Sequence, residues 1–160
     1  MSDDQPSPAR NHIVVGVDGS VPSQHALRWG RFLAHATGSA MEVVSAWQPP
    51  ATYGWAGIGR PSVPADWNPT EDAHQALVAT LDEVFGKQRP TTLELTVREG
   101  NPAKVLLDIS NGARMLVVGS RGHGGFAGLL LGSVSTACAE HATCPVLIVH
   151  GTTPPPPLSV

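Results

Sequence analysis

The sequence predicts an α/β domain, a mostly parallel sheet with helices on both of its faces. Three observations carry that expectation. Five short runs, among them Ile13 to Val17, Met115 to Val118 and Val146 to Val149, are almost continuously apolar, as strands buried on both faces are. The segments between them repeat apolar residues at helical spacing. Strand and helix therefore alternate along the chain, which calls for crossover connections and a parallel sheet.

The elements follow in order. His12 to Val17 is β-branched and apolar and ends in Asp18-Gly19-Ser20, a first strand. A helix spans Pro22 to Thr37, with Ser20 as its N-cap, Pro22 in its first turn and Gly38 to stop it. Ala26, Leu27, Gly30, Leu33 and Ala34 mark its inner face. Met41 to Trp47 is the second strand. The stretch 48–69, rich in Pro and Gly and carrying Trp55 and Trp67, reads as a long loop of the kind that covers ligands or meets partners. Thr70 caps a second helix running to Phe85, with Ala73, Leu77, Leu81 and Val84 on one face. Leu93 to Val97 is the third strand. Asn101-Pro102 is a cap followed by proline at the first helical position, and that third helix runs to Ser110 before Asn111-Gly112. Met115 to Val118 is the fourth strand, Ser133 to His141 a short fourth helix, and Pro145 to Val149 the fifth strand.

Composition limits the functions available. The chain of 160 residues suits a single domain, here 12–150, between a flexible tail at 1–11 and a Pro-rich tail at 151–160 that contains four consecutive prolines. Aromatic residues are 5% of the chain, too few to build stacking platforms for single-stranded nucleic acid. A net charge of −3 without a Lys/Arg block argues against nucleic acid as a partner. No apolar run reaches the roughly 20 residues of a membrane helix, and Met1 to Asn11 is polar and acidic, unlike a secretory signal. Two cysteines fit a reduced, cytoplasmic setting. Cys138, His141 and Cys144 are spaced two residues apart but lack a fourth ligand for a structural zinc site, so the cysteines read as small buried residues. Asp108 and Glu140 read as solvated acids. Neither paired carboxylates nor a Ser/His/Asp set stands out, and no catalytic residue is assigned.

The residues that carry chemistry lie at 119–135, Gly-Ser-Arg-Gly-His-Gly-Gly-Phe-Ala-Gly-Leu-Leu-Leu-Gly-Ser-Val-Ser, between a strand and a helix. Such a junction gathers backbone N–H groups and the positive end of a helix dipole around an anion. Two phosphate-loop patterns fail here. The P-loop pattern needs Lys where Gly125 stands, and the loop contains no lysine. The dinucleotide pattern can be laid on Gly122, Gly124 and Ala127, but His150 replaces the acid it needs after the next strand.

A third pattern fits without a gap: Gly, two residues, Gly, nine residues, Gly-Ser/Thr, on Gly119, Gly122, Gly132 and Ser133. With the opening Ile13-Val14-Val15-Gly16-Val17-Asp18-Gly19-Ser20, the segment Gly100-Asn101-Pro102-Ala103, the stretch Leu116 to Gly122 and the closing Cys144 to Val149, the chain resembles the universal stress protein family from His12 to His150. The resemblance implies a Rossmann-like, doubly wound five-stranded parallel sheet in order 3-2-1-4-5. It also implies ATP binding, with Mg²⁺ carried on the phosphates, and a nucleotide-dependent stress sensor or regulator that meets a protein partner. Some relatives imply cyclic AMP as the ligand instead, and an adenine-nucleotide enzyme with slow ATP hydrolysis is a further alternative.

In that strand order the chain reverses direction between strands 1 and 4, and ligands of open parallel sheets sit at the carboxyl ends of the strands flanking such a switch. Those ends are Asp18-Gly19 and Gly119 to Gly122. By resemblance, Gly119, Gly122, Gly132, Ser133 and Ser135 hold ribose and phosphates, the two hydroxyls adding donors. Asp18 faces the nucleoside or a phosphate-bound Mg²⁺, and Ala46 meets the adenine edge through its backbone. Arg121 and His123 are placed to neutralise phosphate charge. Gly16, Gly19 and Val134, which flank these positions, complete the candidate set. The fifth strand falls at a sheet edge, and Val146, Leu147 and Ile148 bring no guarding charge to it. Relatives dimerise through this strand, so a homodimer is expected.

Overall fold

The computed structural model describes residues 10–49, 65–122 and 131–159. The elements run β1 (Arg10–Gly16), α1 (Val21–Thr37), β2 (Ala40–Trp47), α2 (Pro69–Phe85), β3 (Leu93–Glu99), α3 (Pro102–Ser110), β4 (Ala113–Gly119), α4 (Ser133–His141) and β5 (Val146–Val149). All five strands form one parallel sheet in the order β3-β2-β1-β4-β5. Val15 of β1 is paired with Val43 of β2 on one side and Val117 of β4 on the other. The switch in winding direction therefore falls between β1 and β4.

Alternation along the central strands feeds two separate cores. Ile13, Val15, Met41, Val43 and Val117 face α1 and α2, where Leu27, Leu77, Leu81 and Phe85 cover them. Val14, Val44, Leu116 and Val118 face α3 and α4, where Val105, Leu106, Ile109 and Cys138 close the other layer. Val14, Val15, Val43, Leu27, Leu81, Leu116 and Val117 are fully buried. Each such side chain contributes about 1.5–3 kcal/mol by leaving water, which is why the pattern of apolar runs sets the architecture.

Several boundaries differ from the sequence reading. β1 starts at Arg10 rather than His12, because Arg10 pairs with Ala113 across an irregularity in the register. β3 continues to Glu99, because Arg98 and Glu99 pair with Ala46 and Trp47. The cap of α2 is Asn68, not Thr70: Asn68 Oδ1 accepts from the Glu71 N–H at 3.2 Å, with Pro69 at the first helical position. The Thr70 hydroxyl instead accepts the indole N–H of Trp47 at 3.1 Å. Trp29, partly buried on the α1 side, packs edge-on to Phe32 at 6.0 Å. It donates its indole N–H to the Thr153 carbonyl at 3.0 Å, which ties the chain beyond β5 to α1. Of the long loop, 50–64 and thus Trp55 lie outside the described residues. Trp67 is exposed.

Candidate functional site

A cleft of about 970 Å³ opens at the carboxyl ends of β1, β2 and β4, between the first turn of α3 and one face of α4. A parallel sheet delivers every strand-to-helix turn to the same end, so residues distant in sequence meet there. Gly16, Asp18, Ala46, Gly119, Arg121, Gly122, Gly132, Ser133, Val134 and Ser135 all line it. Gly19 does not; with φ at 82° it makes the turn from β1 into α1 and holds Asp18 at the rim. His123 lies outside the described residues.

Asp18 is held by the start of α1. The Ser20 backbone N–H donates to Asp18 Oδ1 at 2.9 Å, and the Ser20 hydroxyl donates to the same oxygen. Ser20 Oγ in turn accepts from the Ser23 N–H, as the N-cap of α1. Asp18 Oδ2 lies against Gly122, so close that a Cβ on Gly122 would overlap it. Gly119 is glycine for a related reason. A Cβ there would come within 2.7 Å of the Pro22 carbonyl carbon and 2.8 Å of its oxygen, and a backbone cannot yield as a flexible side chain can.

Gly132 is different. Among the described residues a Cβ at this position would meet nothing nearer than 3.5 Å, and its φ of −69° is open to any residue. Yet α4 begins here with no side-chain cap, whereas Ser20, Asn68 and Asn101 cap α1, α2 and α3. The first N–H groups of a helix have no partner within it, so Ser133, Val134 and Ser135 bring N–H donors and the positive end of the helix dipole to the cleft. The Gly132 N–H is bound to the Ser120 carbonyl at 2.8 Å, and the Ser120 N–H to Val149 at 2.9 Å, which anchors the helix start to the ends of β4 and β5.

The two serines play unlike parts. Ser133 is exposed. Ser135 is buried, and its hydroxyl donates to the Gly119 carbonyl at 2.6 Å; its proton is committed inside the protein. Several cleft residues are not in the candidate set from the sequence: Val44 and Gln48 around the end of β2, Asn101, Pro102 and Ala103 at the start of α3, and Glu140 and His141 in the last turn of α4. Glu140 is exposed as expected, yet faces this cleft and not only bulk solvent. Gly100-Asn101-Pro102 was the available signal, since a helix start directly after a strand belongs at this end of the sheet.

Cys138 is fully buried and Cys144 partly so. Burial, with the nearby Cys144 adding to it, pushes the Cys138 thiol up to about 11 from 9.0. Burial raises Cys144 too, against hydrogen bonds that favour its thiolate. Among the described residues no group of three His, Cys, Asp or Glu is placed to hold a metal ion, and no helix is long and apolar enough to cross a membrane.

Fold and cleft together define a doubly wound parallel α/β domain with its opening at the β1/β4 switch point. The universal stress protein family model matches residues 9–150, and the chain belongs to that family. A universal stress protein of Mycobacterium tuberculosis is 33% identical over 148 residues, covering 89% of this chain and 49% of the relative. One from Mycolicibacterium smegmatis is 34% identical over 145 residues, covering 87% and 48%. The chain thus spans about half the length of the curated relatives it matches. Among solved structures, a universal stress protein in complex with cAMP superposes with a TM-score of 0.64 at 27% identity, covering 89% of this chain and 98% of that one.

Proposed function

We propose that the switch-point cleft binds an adenine nucleotide, ATP with Mg²⁺, and that the domain acts as a nucleotide-dependent stress sensor or regulator. The uncapped start of α4 carries the reading. A serine or asparagine at position 132 would serve the helix better, and none of the described residues around it forbids a side chain there. A glycine at that point suits an anion that approaches the helix N-terminus closely. The cleft volume fits a ligand of nucleotide size, and a family member of known structure is in complex with cAMP.

In this reading Gly119, Gly122, Gly132, Ser133, Val134 and Ser135 hold the phosphates and ribose, chiefly through backbone N–H groups. Gly16 and Ala46 floor the nucleoside end. Arg121 and His123 offset phosphate charge. A bound Mg²⁺ would neutralise phosphate charge, and Asp18 is the carboxylate at hand for it or for ribose hydroxyls. Cyclic AMP is the second reading, favoured by the ligand of that solved relative. The same proposal places the protein in the cytoplasm as a homodimer joined at the β5 edge, with a protein partner downstream.

Calorimetric titration of Mg²⁺-ATP into nucleotide-free protein, beside Gly122→Ala, tests the ligand. Saturable binding to the wild type that the variant loses supports the site. Absence of heat from a folded, nucleotide-free sample overturns it, and a competition in which cyclic AMP displaces ATP at lower concentration selects the second reading.

A further inference from the structure

A second cavity, of about 470 Å³, lies where the first turns of α1 meet the chain segments that leave β4 and β5. His25, Arg121 and His150 line it from those three places, and among the described residues no carboxylate does. His25 Nδ1 is 3.5 Å from Arg28 Nη1. A guanidinium can only donate, so this contact occupies Nδ1 as an acceptor and leaves Nε2 as the ring's donor. Val21 and Pro22 form an apolar wall beside these groups, and Val21 is 61% exposed. Three nitrogen-bearing side chains from separate elements, beside an apolar surface, suit an anion with a hydrophobic body.

We propose that this cavity is a second ligand site, which takes a small organic phosphate: its anionic head against His25 and His150, its apolar body against Val21 and Pro22. Arg121 also lines the switch-point cleft, so it stands between the two sites. Thr152 completes the wall, one residue before the Thr153 carbonyl that receives the Trp29 indole N–H. Occupancy therefore couples to the seating of the chain that follows β5. His25 and His150, which carry the assignment, line this cavity and not the main cleft.

Phenyl phosphate is the probe. Its titration is followed by NMR through the imidazole signals of His25 and His150 and the indole N–H of Trp29. All three are expected to move with one saturable midpoint. The double variant His25→Gln/His150→Gln, whose fold is checked by thermal melting, should weaken that midpoint at least tenfold as read at Trp29. Gln48→Trp, at a residue that lines the main cleft and not this cavity, should leave it unchanged. Imidazole signals that stay fixed while others saturate, a midpoint unaltered in the double variant, or one lost in Gln48→Trp would each overturn the proposal.

Discussion

The hydroxyl of Ser135 donates to the carbonyl of Gly119 at 2.6 Å, joining the first turn of α4 to the last residue of β4. Two walls of the cleft are thus fixed to each other by one residue that is 3% exposed.

Ser135→Ala removes this tie and leaves a carbonyl oxygen without it. A buried hydrogen bond contributes about 0.5–1.5 kcal/mol, and an abandoned partner adds to the loss. Urea unfolding should show a decrease of about 1–2 kcal/mol, and nucleotide affinity should fall as the helix start drifts. An unchanged urea midpoint would count against the bond's structural role.

Gly132→Ser separates stability from binding. The new Cβ has room, and serine is the better N-cap by a few tenths of a kcal/mol. Thermal melting should be unchanged or slightly higher. Nucleotide affinity should drop at least tenfold, because the hydroxyl occupies the space kept for the anion. A variant that binds as tightly as the wild type would sink the idea that Gly132 is kept for a ligand.

Alkaline pH should destabilise the fold through Cys138. Its thiol ionises near 9.0 in the unfolded chain and near 11 in the folded one, so the unfolded state releases its proton first. The neutral thiol's contribution is complete below pH 9 and is lost as pH rises toward 11. Between pH 8 and 10.5 the urea midpoint should fall more for the wild type than for Cys138→Ala. Equal slopes would mean that the thiol does not titrate as its burial requires.

Val146→Lys places a charge on the sheet's edge strand. Sedimentation should show a homodimer in the wild type and a larger monomer fraction in the variant, since guarding charges suppress edge pairing. A dimer that persists undiminished would exclude β5 as the interface.

The sequence was most legible where local chemistry decides. Asn101-Pro102 announced α3, whose observed span is Pro102–Ser110, and the Ser133–His141 helix also fell where expected. The same Asn-Pro pair opens α2 at 68–69, where it is obscured by a preceding stretch crowded with prolines. Strand ends were harder to read. Arg98 and Glu99 carry no apolar signal, and they extend β3 only because Ala46 and Trp47 offer them partners. Of the cleft, the glycines and Asp18 were visible as motif and turn residues. Gln48, Asn101 and His141 became visible only once the parallel sheet had brought separate turns to one end. The distinction among glycines was also hidden: Gly119 answers to Pro22, Gly122 to Asp18, and Gly132 to none of the described residues around it.

The missing cap on α4 also bears on how the molecule fluctuates. Three helices carry their own N-terminal stabiliser, while the nine-residue α4 does not. Local opening is cheapest where such support is absent, and any anion that supplies it raises the cost of opening by mass action. Amide exchange in the first turn of α4 is therefore a gauge of occupancy. On the proposed binding mode the helix should breathe fastest in an empty molecule and slow as the surrounding concentration of its ligand climbs, so that a chemical concentration would be converted into a frequency of motion.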